Sequence, residues 1–360
     1  MNIKLIGEPR IIMNAPGNSH NYFAWPTVTR LKDGRIAAAC SGFRVAHVCP
    51  FGKAVIAFSD DEGESFTAPS PVIDTVLDDR DAGLCAFGES GLIITSFNNT
   101  VAFQRGSCEP LKECYDYLDT VDPQEEKKAL GSEFRISFDN GKTWGEIYHS
   151  PVTSPHGPLE THDGRILWTG QVFNCYAPLP EDIPHIQTWE INPGNGEMTF
   201  VGGIDNIYES GRIVAACEPH TLELADGTLV CHIRVERGEH SHFTVFESKS
   251  KDGGKTWTKP EKMLKDRGGS PAHLLQHSSG TLISAYGYRE KPYGIRVMLS
   301  ADGGKTWEKD KILYEQTVTA DIGYPATVEL KDGSLLTVFY AHGKEDEPAA
   351  IWAQKWEIDY

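Results

Sequence analysis

Apolar and polar residues along this chain alternate in short runs separated by tight turns, and the same turn returns six times. The runs read KDGRIAAAC, GESGLIITSF, HDGRILWTG, ADGTLVCHI, SSGTLISAYG and KDGSLLTVFY, with glycines at Gly34, Gly91, Gly164, Gly227, Gly280 and Gly333. Each follows another β-prone run, as in HTLELADGTLVCHIR and PATVELKDGSLLTVFY. Asp-Gly between two such runs predicts a hairpin, because glycine accepts the positive φ that tight hairpin turns require. Six hairpins are therefore expected.

A second phrase of the form Ser-x-Asp-x-Gly-x-Thr-Trp follows in most units. It reads SDDEGESF at 59–66, SFDNGKTW at 137–144, SKDGGKTW at 250–257 and SADGGKTW at 300–307, with a degraded copy, NPGNGEMTF, at 192–200. Its Ser and Asp side chains suit a turn that satisfies backbone N–H groups, and its aromatic residue suits packing against a neighbour. The later ligands of a calcium loop are absent, so the phrase reads as structural. Two hairpins per unit make a four-stranded antiparallel sheet. Six such sheets make an all-β, six-bladed propeller. The last unit ends one strand short, which predicts that an N-terminal strand near Ile3–Ile12 closes the ring and leaves no open edge. The whole chain, 1–360, reads as one domain. An insertion at about 99–131 in the second unit holds VDPQEEKKAL, a short-helix candidate that serves either as a lid or as an edge cover.

Composition narrows the function. A net charge of −17 argues against nucleic acid as a partner. No run approaches the ~18 apolar residues of a membrane span. The N-terminal MNIKLIGEPRII lacks the apolar core and cleavage site of a signal peptide, which predicts a cytoplasmic protein. Eight cysteines without CxxC spacing fit reduced thiols better than a disulfide framework or zinc site. No cofactor is implied.

Repeated Asp-boxes in a six-unit all-β chain resemble the sialidase (neuraminidase) superfamily over almost the whole length. Aligned on the hairpin glycines, the ninth position before Gly holds Trp25, Ala82, Pro155, Glu218, Pro271 and Tyr324. The resemblance implies that Glu218 and Tyr324 stand where sialidases carry their glutamate and nucleophilic tyrosine. A neutral phenol approaches an anionic sugar without carboxylate repulsion, and the glutamate can take its proton. Of the three arginines that clamp the substrate carboxylate in that family, Arg234 matches the second and Arg296 the third. The first is replaced by Ala24, in the phrase Phe23-Ala24-Trp25-Pro26. The usual acid/base aspartate is missing from SGFRVAHVCPFGK, which leaves His47 or Asp81 to protonate the leaving group. Arg44 or Arg80 stands in for the lost arginine.

Other residues converge on the same expected face. Arg289 follows the fifth hairpin, flanked by Tyr286, Tyr288 and Tyr293; Tyr288 and Trp25 are candidates for stacking on a sugar. His156, His220 and His273 come from neighbouring units and suit substrate contact or proton transfer, with a metal as the alternative. Together these predict an exo-acting glycoside hydrolase that removes a terminal acidic sugar from a small molecule or oligosaccharide. Alternatives are a lyase on uronic-acid glycans and a non-catalytic glycan-binding propeller.

Overall fold

The computed structural model describes residues 1–360 apart from 176–177, 238–241, 265–268 and 270. Six antiparallel blade sheets follow one another along the chain, with a two-stranded sheet of Tyr208–Glu209 and Arg212–Ile213 between the third and fourth. Blade 1 comprises Tyr22–Arg30, Ile36–Arg44, Lys53–Ser59 and Ser70–Ile73, and blade 2 comprises Arg80–Phe87, Gly91–Phe97, Ser132–Ser137 and Tyr148–Ser150. In blade 3 the innermost strand is split into Val152–Thr153 and Leu159–Glu160, followed by Ile166–Val172, Ile186–Ile191 and Met198–Ile204. Blade 4 holds Ala215–Glu223, Leu229–Arg237, His242–Ser250 and Glu261–Lys262; blade 5 holds Ala272–Gln276, Leu282–Tyr288, Gly294–Ser300 and Glu308–Tyr314. Blade 6 takes Gly323–Glu329, Leu335–Ala341 and Ala350–Asp359 from the C-terminus, and its outer strand is Asn2–Met13. That strand runs antiparallel to the last one, from Asn2 opposite Asp359 to Met13 opposite Ile351. The predicted closure is present.

The seams between blades hold the core. Small and branched residues face each other there: Ala37, Ala39 and Ile56 of blade 1 meet Leu84, Leu92 and Ile94 of blade 2. Ile36 and Val55 of blade 1 meet Val338 and Ile351 of blade 6. The Asp-box turns lock the outer parts of these seams. In all four, the Ser hydroxyl donates to the Asp carboxylate at 2.7–2.8 Å, and a Ser or Thr hydroxyl four residues after the Asp donates to its other oxygen at 2.6 Å. These bonds hold Asp61 and Asp252 down at about 2. Phe66, Trp144, Trp257 and Trp307 then pack against the seam clusters. The copy at 192–200 forms a different turn, in which Asn192 accepts the N–H of Gly194 at 2.9 Å.

The insertion forms three short helices, Val101–Ser107, Lys112–Leu118 and Pro123–Ala129. Cys108, Cys114 and Leu118 pack with Cys49, Val48 and Phe51, so the insertion buttresses the blade-1 loop that carries His47. All eight cysteines are unpaired. No described helix is long and apolar enough to cross a membrane.

Candidate active site

Four innermost strands carry the same irregularity. Their pairing with the second strand skips between Ala24 and Thr27, Arg80 and Gly83, Cys217 and His220, and Gly323 and Ala326. Inside each bulge one non-glycine residue adopts a left-handed backbone: Trp25 (φ 55°), Asp81 (50°), Glu218 (47°) and Tyr324 (51°). This conformation is costly for residues with a Cβ, and bulges re-aim the side chains they contain. Four blades therefore present one strained residue each at the same level of the ring. The blade-2 member is Asp81, where the glycine alignment gave Ala82. The hairpins are equally long, since Ala86 pairs with Leu92 and Glu329 with Leu335 across five residues each, but Gly91 stands one residue before its second-strand leucine where Gly333 stands two before. In blade 2 it is Gly88, and not Gly91, that has the positive φ.

Two of these residues are directly bonded. Tyr324 Oη donates to Glu218 Oε1 at 2.5 Å, and Arg234 Nη1 donates to Glu218 Oε2 at 2.5 Å and to Tyr324 Oη at 3.2 Å. Arg234 Nη2 also reaches Glu236 at 2.5 Å. Burial raises the Tyr324 phenol well above its ordinary value, and the charges of Glu218 and Asp81 add to this while Arg234 and Arg289 oppose it. The phenol is thus neutral at rest and hydrogen-bonded to a base. Asp81 is 6% exposed, and burial lifts its carboxyl to about 7 against the pull of Arg80 and with a push from Glu218. Asp81 Oδ1 and Arg234 Nε are buried without a partner. Unsatisfied groups of this kind are rare in folded proteins, and here two lie in one cluster of ionisable side chains.

Behind Tyr324 stands a hub that sequence reading missed. Asp321 accepts from Tyr22 Oη (2.7 Å) and Tyr340 Oη (2.9 Å), and pairs with His47 Nδ1 (3.0 Å) and His342 Nε2 (3.0 Å). These bonds overcome its burial and hold the carboxyl far below the usual range. His342 is correspondingly raised by Asp321 against burial, whereas burial and nearby Arg80 keep His47 low. Tyr340 lies seven residues after Gly333, the register that gives Arg234 after Gly227 and Gln171 after Gly164; Gln171 Oε1 accepts the N–H of Glu218 at 3.3 Å. That second register was the available signal.

The arginines divide differently from the expectation. Arg289 joins the site: it donates to Tyr340 Oη (3.1 Å) and the Ile322 carbonyl (2.9 Å), and its guanidinium lies 5.9 Å from the Tyr324 ring centre. Arg296 does not. It sits on the third strand of blade 5, between Tyr286 and Ile312 and away from the innermost strand. There it pairs with Glu315 at 2.5 Å, stacks on Tyr288, and lines with it a separate cavity of about 610 Å³. Arg289 thus replaces Arg296 at the site, and Tyr288 moves away with Arg296.

Arg44 is also corrected. It is fully buried, and its five N–H donors have five acceptors: two Asp78 oxygens, Ser41 Oγ, and the carbonyls of Ala46 and His47. Nothing remains to hold a substrate. Arg80 shares Asp78 (3.2 Å) and stacks on Trp25 at 4.0 Å. Trp25, 1% exposed, is covered by Arg80, by Arg44 at 4.7 Å and by the edge of His47 at 5.0 Å, so it is no open platform for a sugar. His156, His220 and His273 lie further along the inner strands, clustered around an axial cavity of about 380 Å³ apart from Tyr324 and Glu218.

A six-bladed propeller with Asp-box turns and a residue cluster converging from several blades defines a sialidase-like propeller of the BNR type. Residues 117–337 match the family model described as BNR repeat-like domain, and the chain belongs to this family. No curated protein sequence matches it. Among solved structures it is similar to a protein of unknown function from Dyadobacter fermentans, at 21% identity and TM-score 0.76 over 99% of this chain and 100% of that one. It is also similar to the NanB sialidase from Streptococcus pneumoniae, at 12% identity and TM-score 0.67 over 99% of this chain and 71% of that one. A third is the intramolecular trans-sialidase from Ruminococcus gnavus, at 14% identity and TM-score 0.65 over 97% of both chains. At these identities the likeness concerns the fold.

Proposed function

We propose that this protein hydrolyses glycosides bearing an anionic group, with Tyr324 as nucleophile, Glu218 as its base and Asp81 as acid. The observation that carries the reading is the 2.5 Å bond from Tyr324 Oη to Glu218, made between two residues held in the same strained conformation. Glu218 takes the phenolic proton as Oη attacks the anomeric carbon, and Asp81 gives its proton to the departing glycosidic oxygen. Water then attacks the anomeric carbon and returns a proton to Asp81, while Tyr324 leaves and recovers its proton from Glu218. Two displacements retain the anomeric configuration. A carboxyl near 7 is well placed for the alternating acid and base role at neutral pH.

Charge accounting supports an anionic substrate. Arg289 donates to neutral oxygens, and Arg44 and Arg80 share the single carboxylate of Asp78. The Arg289 guanidinium beside Tyr324 therefore has no carboxylate bonded to it, while Arg234 is matched by Glu218 and Glu236. Similarity to sialidases adds to this reading. Turnover of sialyl, uronyl and neutral glycosides by the wild type and by Tyr324→Phe tests it. Release of an acidic sugar that disappears in the variant is expected, and undiminished turnover by Tyr324→Phe overturns the assignment.

A further inference from the structure

The axial cavity is lined by all six innermost strands and holds the three imidazoles that the proposed hydrolysis does not use. Their ring centres lie 4.3, 5.0 and 5.3 Å apart. His220 Nδ1 accepts the backbone N–H of Leu274 at 2.8 Å, and His273 Nδ1 accepts that of Thr327 at 3.3 Å. In each case an imidazole bonds an N–H within the inner strand of the next blade. A neutral ring that accepts through Nδ1 carries its hydrogen on Nε2. His220 and His273 thus present two Nε2–H donors that lack a protein partner among the described residues. His156 is 2% exposed, and neither of its nitrogens has a partner.

This tautomer pattern decides the ligand class. A metal-binding imidazole offers a lone pair to the metal and donates through its other nitrogen. Here the other nitrogen accepts, so the free one is a donor, and the described residues contain no cluster able to hold a metal. Donors call for an acceptor. Rings whose centres lie 4.3 Å apart can direct both donors at one acceptor atom.

A buried anion is costly without a counter-charge. None of the other ionisable groups around the cavity supplies that counter-charge: Arg30 pairs with Glu62, while Glu160 and Glu329 are carboxylates that accept from Gly88 and Ser278. Burial keeps the Cys85 thiol neutral, and His232, behind His220, is bonded to Ser284 and Glu247. Burial, with His220 nearby, keeps His156 neutral on its own, so its free nitrogens take up a proton only together with an anion.

We propose that His156, His220 and His273 bind one monatomic anion of the halide class together with a proton on His156, fastening the six inner strands at the axis. Bromide-soaked crystals should show an anomalous peak within about 3.5 Å of His220 and His273 Nε2. Bromide found only elsewhere on the protein overturns the proposal. In solution, chloride exchanged for gluconate at constant ionic strength should raise Tm in proportion to the logarithm of chloride. The rise should be larger in mildly acidic buffer than in alkaline buffer. The His220→Asn/His273→Asn variant keeps an acceptor near the Nδ1 position and removes the Nε2–H groups, its own N–H donors lying closer to the backbone; it should lose this rise. A rise that survives in that variant, or one independent of pH, contradicts the site. The bromide experiment on the wild type decides the matter even where the variant folds poorly.

Discussion

Replacing Asp81 by Asn should make the protein more stable and less active, and the size of the first effect follows from the carboxyl's surroundings. Asp81 has an unpartnered Oδ1 and feels the charge of Glu218, and burial moves its carboxyl from an ordinary 3.8 to about 7. Between those values the folded protein holds a proton that the unfolded chain has released, so stability falls as pH rises through the window. At 1.36 kcal/mol per pH unit this amounts to roughly 4 kcal/mol above neutrality. For a chain of this length, that corresponds to about 5 °C in Tm. An amide has nearly the same shape and no charge. Asp81→Asn should therefore melt close to the wild type near pH 4, where both side chains are neutral, and increasingly above it as pH rises to 8. Hydrolytic activity should drop by roughly 10²–10⁴-fold with the loss of the acid. Thermal melts across pH, paired with turnover of an acidic glycoside, measure both effects. A variant destabilised equally at every pH would refute the buried, protonated carboxyl; full activity would refute its role as acid.

Three further outcomes follow from the geometry. Arg289→Ala should raise KM for an acidic glycoside by roughly 10–100-fold through loss of a charged hydrogen bond, whereas Arg296→Ala should leave kcat/KM within about twofold, as read by steady-state kinetics. Arg44→Met should lower stability by about 3 kcal/mol in denaturant titrations, because it takes from buried Asp78 the arginine that bonds both of its oxygens. Deleting Asn2–Met13 removes the partner of Ala350–Asp359, and the truncated chain should aggregate or lose its cooperative melt; a melt like the full chain's would show the closing strand to be dispensable.

The fold was legible because its signals are local. Each hairpin is fixed by a turn of a few residues, the Asp-box bonds span four residues, and closure followed from counting a missing strand. The bulge positions of Glu218 and Tyr324 were legible for a related reason: Gly227 and Gly333 each stand two residues before the leucine that opens the second strand, so counting from them reaches the bulges. In blade 2 the counted glycine, Gly91, directly precedes Leu92, which shifted the count by one and hid Asp81 behind Ala82. The remaining errors concern tertiary saturation, which a linear pattern does not record. Arg44 is spent on Asp78 and three neighbouring oxygens, Trp25 is covered by two guanidinium groups, and Arg296 lies on the third strand of its blade. Asp321 drew no attention because its four partners come from three separate segments of the chain, and the imidazoles of His220 and His273 serve backbone N–H groups of neighbouring blades.

The central claim is that Tyr324 attacks the sugar, and trapping the bond it forms tests this most directly. An acidic glycoside fluorinated beside the anomeric carbon, with a good leaving group, slows breakdown of a covalent intermediate more than its formation. Mass spectrometry of the protein after such treatment should show one added glycosyl group, and peptide mapping should place it on Tyr324. The adduct should be lost in Tyr324→Phe and form more slowly in Glu218→Gln. A glycosyl group found on Glu218 or Asp81, or turnover of the acidic glycoside with no adduct on Tyr324, would contradict the account.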